Sequence, residues 1–166
     1  MLRKLRLSLL IILISILLSG CDLFGPKYIN FSEKPNNHYY TDQLHKKILN
    51  NENFSLYVFD KNLYKEIKVT NDDEITIIEN FINSLIDNNY LNESEILNTS
   101  ESFRIKIVFK DETFLIKVFN SNVITLSPWD GKFKEDIISM DSLPIGYNLY
   151  DFCTHIASRP IEQESN

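Results

Sequence analysis

The sequence predicts an α+β domain in which an antiparallel sheet packs against amphipathic helices. Short runs of alternating apolar and polar residues occur in pairs around turn residues, and strands joined by tight turns pair antiparallel. Other segments repeat apolar residues at helical spacing, which indicates helices with one buried side. With 166 residues, of which 43% are hydrophobic, the chain suits one folded domain. The expected order is α-ββ-α-ββββ-α, a two-stranded hairpin and a four-stranded meander with three helices.

The first expected element is a helix over residues 38–51. Thr41 or Asp42 is expected to cap it, because a side-chain oxygen at the N-cap accepts a hydrogen bond from a free backbone N–H. The apolar side of this helix comprises Tyr40, Leu44, Ile48 and Leu49.

A hairpin is expected next, with strands at residues 54–59 and 63–69. Asp60, Lys61 and Asn62 between them are residues that favour turns, and a two-residue turn at Lys61 and Asn62 would set the register. The expected cross-strand pairs are Leu56 with Ile67 and Phe54 with Val69.

The second helix has the clearest pattern in the chain. It is expected to begin at Thr70 or Asn71, since either residue forms a capping box with the acid three residues later, and to end near residues 88–89. Its apolar stripe comprises Ile75, Ile78, Phe81, Ile82, Leu85 and Ile86. The polar stretch at residues 91–102 is expected to be a loop.

The meander begins with strands at residues 103–110 and 113–120, joined by a turn at Asp111 and Glu112. The expected pairs are Phe109 with Phe114, Ile107 with Ile116, and Ile105 with Val118. Because every member of that face is apolar, we expect the register of this hairpin to be well determined. Two further strands are expected at residues 123–127 and 133–140.

The last expected helix covers residues 145–158 after Pro144, which suits the first turn of a helix. Its buried stripe comprises Ile145, Leu149, Phe152, Cys153 and Ile156. His155 lies four residues after Asp151 on the polar side, which is typical of an exposed surface pair.

The first twenty residues have the pattern of an export signal. Arg3, Lys4 and Arg6 form a positive segment without acidic residues, and residues 7–18 are apolar except for two serines. A run of twelve residues is too short to span a bilayer as a helix. The segment is therefore expected to direct export and to be removed.

The run Leu18-Ser19-Gly20-Cys21 resembles the lipobox of bacterial prolipoproteins. In that family the peptidase cuts before the cysteine, here between Gly20 and Cys21, and the thiol receives a diacylglyceryl group. The resemblance implies a protein held on the extracytoplasmic side of the cell membrane, and two acyl chains suffice for stable anchoring. The alternative is a buried or disulfide-bonded cysteine after an ordinary signal peptide.

These assignments divide the chain into four parts: a signal peptide at residues 1–20, a lipidated N-terminus and tether at 21–37, one domain at 38–160, and a loose tail at 161–166. Without the signal peptide the formal net charge changes from −6 to −9, because three basic residues are lost. So acidic a chain is not expected to bind nucleic acid.

The sequence contains no recognisable catalytic, metal-binding or cofactor-binding motif. His38, His45 and His155 do not occur at metal-ligand spacing, and Cys153 falls on the apolar stripe of a helix, where a thiol is inert. Four glycines in all leave little material for a phosphate-binding loop. We therefore expect no enzyme activity, no cofactor and no metal.

One hypothesis for a binding site concerns basic residues on the sheet. The expected register sets Lys106 against Lys117 and places Arg104 on the same face, and like charges opposite each other destabilise a strand pair. An acid on a neighbouring strand, Glu135 or Asp136, would compensate them. The alternative is that this face binds a small anionic ligand or an acidic partner.

A second hypothesis concerns aromatic residues. Tyr57, Phe59 and Tyr64 fall on the non-core face of the first hairpin, and Trp129 lies in a Pro-Trp-Asp-Gly turn. Exposed aromatic clusters often mark contact sites for proteins or glycans. The alternative is that another layer of the fold, such as the first helix, covers them.

The lipobox, the Ile/Asn/Lys-rich composition and the length are similar to those of small uncharacterised lipoproteins of Gram-positive bacteria, particularly clostridial ones. The resemblance implies no particular activity. The expected function is therefore a non-enzymatic module that binds an envelope protein or a small ligand. An accessory subunit of a membrane complex is the alternative, and a cell-wall-active enzyme is a weaker one.

Overall fold

The computed structural model describes residues 33–92 and 100–159. Within these residues it contains one open sheet of seven antiparallel strands and three α-helices. This arrangement confirms the predicted α+β class, and the element order roughly matches. The predicted signal peptide, Cys21 and the tail at residues 161–166 lie outside the described residues. No helix in the described ranges is long and apolar enough to cross a membrane.

The elements are close to those expected, with one additional strand. The strands are β1 (Ser55–Asp60), β2 (Lys65–Val69), β3 (Tyr90–Leu91), β4 (Phe103–Val108), β5 (Thr113–Val118), β6 (Val123–Pro128) and β7 (Asp136–Ser139). The helices are α1 (Tyr39–Leu49), α2 (Asp72–Ser84) and α3 (Leu149–Ala157). The spatial order of the strands is β2-β1-β4-β5-β6-β7-β3. Leu91, expected in a loop, pairs with Ile137 in β7.

The core lies between one face of the sheet, the inner face, and the three helices. Ile105, Ile116 and Leu126, near the middle of the sheet, are completely buried. Helix α1 packs over β6 and β7, and α3 packs over β1, β2 and β4. The helices contribute Tyr40, Leu44, Ile48, Ile78, Phe81, Ile82, Leu149, Phe152, Cys153 and Ile156 to the same cluster.

The first hairpin has a four-residue connection, so the predicted two-residue turn and its register are wrong. The reason is local: Asp60 Oδ1 accepts hydrogen bonds from the backbone N–H groups of Asn62 and Leu63, at 2.8 and 3.0 Å. Asp60 therefore pairs with Lys65. The observed pairs include Leu56 with Val69 and Val58 with Ile67.

The second hairpin differs from the prediction in the same way. Val108 pairs with Thr113, and the Phe109 N–H donates to the Glu112 carbonyl at 2.9 Å within the connection. The observed pairs include Ile107 with Phe114, Ile105 with Ile116, and Phe103 with Val118. Because the register differs by two residues, each side chain stays on its predicted face.

Helix α1 begins without the predicted cap. His38 occupies the N-cap position, and its side chain makes no capping hydrogen bond. Thr41 is buried instead, and its backbone N–H and hydroxyl donate to Asp136 Oδ2 at 2.6 and 2.8 Å. Leu49, expected on the buried side, is 65% exposed.

Helices α2 and α3 are shorter than predicted. Asn71 caps α2, where its side chain accepts a hydrogen bond from the Asp73 N–H at 2.9 Å. This helix ends at Ser84, and Ile86 beyond it is exposed. Asn148 caps α3 in the same way, so Ile145 lies outside the helix and is fully exposed.

Candidate functional site

The face of the sheet opposite the helices is the outer face. Burial alternates along β1, β4 and β5, so every second side chain contributes to the inner face and the others remain accessible. On strands β2, β1, β4 and β5 the outer face comprises Tyr57, Phe59, Glu66, Lys68, Arg104, Lys106, Leu115 and Lys117. Five of the residues singled out from the sequence therefore lie on one surface: Tyr57, Phe59, Arg104, Lys106 and Lys117.

Lys106 on the outer face is paired with a carboxylate and an aromatic ring. Its Nζ lies 2.8 Å from Glu66 Oε2 on β2 and 4.6 Å from the ring centroid of Tyr57 on β1. Its cross-strand partner is Leu115, so the predicted opposition of Lys106 and Lys117 is wrong. The longer turn of the second hairpin causes this difference.

Arg104, not Lys106, lies opposite Lys117. Lys117 forms an ion pair with Glu135, and Arg104 forms one with Glu101. Lys61 Nζ is 3.3 Å from the same Glu101 carboxylate. Burial alone would raise the pKa of Glu101, but the hydrogen bonds from Arg104 and Lys61 outweigh it and lower the pKa to about 2.

The repulsion that motivated an anion site is thus compensated within the protein. Arg104, Lys106 and Lys117 each have a carboxylate partner. Glu135 fulfils the role expected of a neighbouring acid, whereas Asp136 faces the helices. A small anionic ligand therefore gains no support from unpaired positive charge on this face.

The aromatic residues of the first hairpin are accessible to different degrees. Tyr64 lies in the turn with a positive φ of 54° and is 84% exposed. Its ring meets that of Phe59 edge-on, with the centroids 5.6 Å apart. Tyr57 and Phe59 are half-buried. These three residues form what we call the aromatic cluster.

Trp129 is separate from the aromatic cluster. It follows β6, three strands away from β1, and is 67% exposed. Its backbone N–H donates to the Thr113 carbonyl at 2.8 Å, which fixes the turn to β5. The indole borders a shallow groove of about 650 Å³. The groove is lined by Lys106, Val108, Phe109, Lys110, Asp111, Glu112, Thr113, Trp129 and Asp130.

A buried polar cluster, which the sequence did not reveal, lies where the described chain begins. Asp136 is completely buried, and Lys34 Nζ lies 2.6 Å from its Oδ1. Thr41 donates two hydrogen bonds to the other oxygen. Burial, together with the nearby charge of Asp136, raises the pKa of Tyr90 to about 12. Lys34, which the sequence assigns to the tether, is thereby held against the domain.

A second buried carboxylate ties α2 to the end of α3. Glu74 is 9% exposed and forms an ion pair with Arg159. His155 Nε2 lies 3.5 Å from Glu74 Oε1, so this histidine faces Glu74 across the helices. No local pattern indicates these contacts, because the partners are about 80 residues apart in the sequence. The arrangement is that of a structural ion pair.

Cys153 and the acidic residues provide no evident reactive centre in the described ranges. Cys153 is buried, and burial raises the pKa of its thiol, which keeps the thiol protonated. No group of three or more His, Cys, Asp or Glu side chains in residues 33–92 and 100–159 is arranged to hold a metal ion.

Comparison with known proteins gives one family and one solved structure. The model of a family described as "Domain of unknown function (DUF4883)" matches residues 34–153. The crystal structure of a protein described as "Putative Lipoprotein from Clostridium perfringens" is similar, with a TM-score of 0.68 and 28% sequence identity. That match covers 76% of this chain and 100% of the other. No curated protein matches the chain.

Proposed function

The chain belongs to the DUF4883 family, and we propose that it is an extracytoplasmic lipoprotein whose domain binds a protein partner. In this proposal Cys21 carries a diacylglyceryl group, and the outer face of the sheet provides the binding surface. The domain acts without catalysing a reaction. The observation that carries the binding role is the aromatic cluster, with Tyr64 84% exposed, on a sheet face that no described helix covers.

Two observations support the anchor. Leu18-Ser19-Gly20-Cys21 has the order and context of a lipobox, directly after a short apolar run with a positive N-terminus. The similar solved structure is described as that of a "Putative Lipoprotein from Clostridium perfringens". Its match covers the whole of that chain and 76% of this one.

Metabolic labelling with a fatty acid tests the anchor. We expect label in the wild type and none in Cys21→Ala, because the thiol of Cys21 is the acylated atom. Cys153→Ala is the matched control, since it removes the other cysteine of the chain and should keep the label. Equal labelling of the wild type and Cys21→Ala would contradict the proposal.

The outer face has the composition of a protein-binding surface. Tyr57 and Phe59 provide aromatic contact area, and hot spots of interfaces are rich in Tyr and Arg. Lys106 and Glu66 form a pair 2.8 Å apart beside Tyr57, so a partner meets charges that are already compensated. Such a surface can bury its aromatic groups without leaving an isolated charge unpaired.

Site-specific photocrosslinking in cells tests this surface. A photoreactive residue at Tyr64 is expected to capture a protein. The control is the same residue at Ile145, which is fully exposed in the connection between β7 and α3 and should capture none. A captured protein that co-purifies in fixed stoichiometry with a membrane complex would favour the accessory-subunit alternative. Release of wall fragments by the purified protein would instead contradict a non-enzymatic role.

A further inference from the structure

The described chain enters the domain beside the connection between β6 and β7, residues 129–135. Lys34 Nζ lies 3.2 Å from the Glu135 carbonyl oxygen and 2.6 Å from Asp136 Oδ1. Six residues later, Tyr40 Oη accepts a hydrogen bond from the Phe133 N–H at 2.6 Å. The start of the domain and the β6–β7 connection are therefore one packed unit.

The same connection presents a large amphipathic side chain to solvent. Trp129 is 67% exposed, while its backbone is fixed by a hydrogen bond to Thr113. An indole has an apolar ring and one N–H donor, and this combination is favoured at the boundary between lipid and water. Lys132 and Lys134 are exposed on the same connection.

The length of chain before Lys34 keeps this end of the domain close to its anchor. Twelve residues separate Cys21 from Lys34. Twelve residues reach at most about 45 Å when fully extended. An exposed indole held at that distance encounters the lipid surface at high effective concentration.

We propose that the β6–β7 connection is the membrane-facing end of the domain and that Trp129 inserts its indole at the level of the lipid headgroups. This inference rests on the lipid anchor at Cys21 that we propose above. It adds an orientation for the domain and a second, non-covalent contact with the membrane.

The formal charge of the β6–β7 connection permits it to approach anionic lipids. Residues 128–135 carry two lysines, one aspartate and one glutamate, so their formal charge is zero, whereas the mature chain has a net charge of −9. Anionic lipids would repel most surfaces of so acidic a protein, but not this connection. The contact accordingly depends on the indole and should change little with ionic strength.

Tryptophan fluorescence tests the proposal directly, because Trp129 is the single tryptophan of the chain. The lipidated protein, residues 21–166, is reconstituted into vesicles of phosphatidylcholine and phosphatidylglycerol, with and without bromine on the acyl chains near the headgroup. We expect a blue shift of the emission on reconstitution and strong quenching by the brominated lipid. Both effects should persist at high salt.

The matched control moves the reporter to the aromatic cluster. In Trp129→Phe combined with Tyr64→Trp, the emission should stay red-shifted and escape quenching by the brominated lipid. Vesicle flotation separates the two proposals. Protein that floats with the vesicles while Trp129 stays unquenched overturns the membrane-facing orientation but keeps the anchor. Wild-type protein that does not float overturns the anchor, and the orientation with it.

Discussion

Replacement of Lys34 by methionine should destabilise the domain by about 2–4 kcal/mol. Lys34 is the cation that compensates Asp136, whose carboxylate is completely buried, and the two groups are 2.6 Å apart. Removal of one partner of a buried pair costs about 3–5 kcal/mol, because a charge remains in a medium of low dielectric. The expected loss is smaller here, since Thr41 keeps its two hydrogen bonds to the carboxylate and the Lys34 side chain is 19% exposed.

Replacement of the partner, Asp136, should lower the free energy of unfolding by less. Asp136→Asn keeps an oxygen for the hydrogen bonds of Thr41, and the released Lys34 ammonium can turn toward water, so we expect a loss of about 1 kcal/mol. The double variant should be more stable than Lys34→Met alone, because it contains no buried charge. The coupling free energy of this cycle is expected to be about 1.5–3 kcal/mol.

Urea unfolding of residues 22–166 at pH 7, followed by circular dichroism, provides these free energies. Lys106→Met is the control, because Lys106 and Glu66 form a more exposed pair whose loss should cost less than about 1 kcal/mol. A Lys34→Met variant within about 0.5 kcal/mol of the wild type, or a cycle whose single effects simply add, would refute the reasoning.

Three further predictions concern the pH dependence, the thiol and a close packing contact. The pKa of Glu101 is lowered from 4.5 to about 2, so its stabilisation is complete above pH 4.5 and is lost as the pH falls toward 2. Glu101→Gln should therefore cost about 1 kcal/mol at pH 7 and nothing near pH 2 in urea titrations, and an equal loss at both would contradict the assignment. Cys153 should react with a thiol reagent such as DTNB only in denaturant, because burial raises its pKa; rapid reaction of the native domain would show an accessible thiol. Gly131→Ala should destabilise by about 1–3 kcal/mol, since a Cβ there would lie 2.8 Å from Tyr40 Oη; an unchanged urea midpoint would show that the ring shifts freely.

The fold class was predictable because alternation and helical spacing are local properties of the sequence. The inner-face residues of the second hairpin, such as Ile105 and Ile116, are completely buried, as their alternation predicts. The register was not predictable from alternation, because a shift of two residues keeps every side chain on its face. In the first hairpin the register depended on Asp60, because its carboxylate accepts hydrogen bonds from two backbone N–H groups and lengthens the turn.

The candidate sites divide in the same way. The sequence placed Arg104, Lys106 and Lys117 on one face, which the structure confirms, but it set the wrong pair opposite each other. The Lys34–Asp136 contact joins residues 102 positions apart, so no local pattern could indicate it. The alternation along the strands therefore predicted which residues share the outer face. Their ion pairs depended on the register and on tertiary packing.

The anchor and the binding surface that we propose are compatible because they lie in different parts of one sheet. The chain enters beside β7, whereas the aromatic cluster lies on β1 and at its turn to β2, four to five strands away. At about 4.8 Å between neighbouring strands, the separation is about 19–24 Å. Trp129 follows β6, three strands or about 14 Å from β1, so a membrane contact there leaves Tyr64 and its neighbours accessible. In this proposal the twelve residues between Cys21 and Lys34 keep the domain near the membrane, so its partner must also lie near the membrane. The outer face of the sheet, which would bind that partner, stays uncovered.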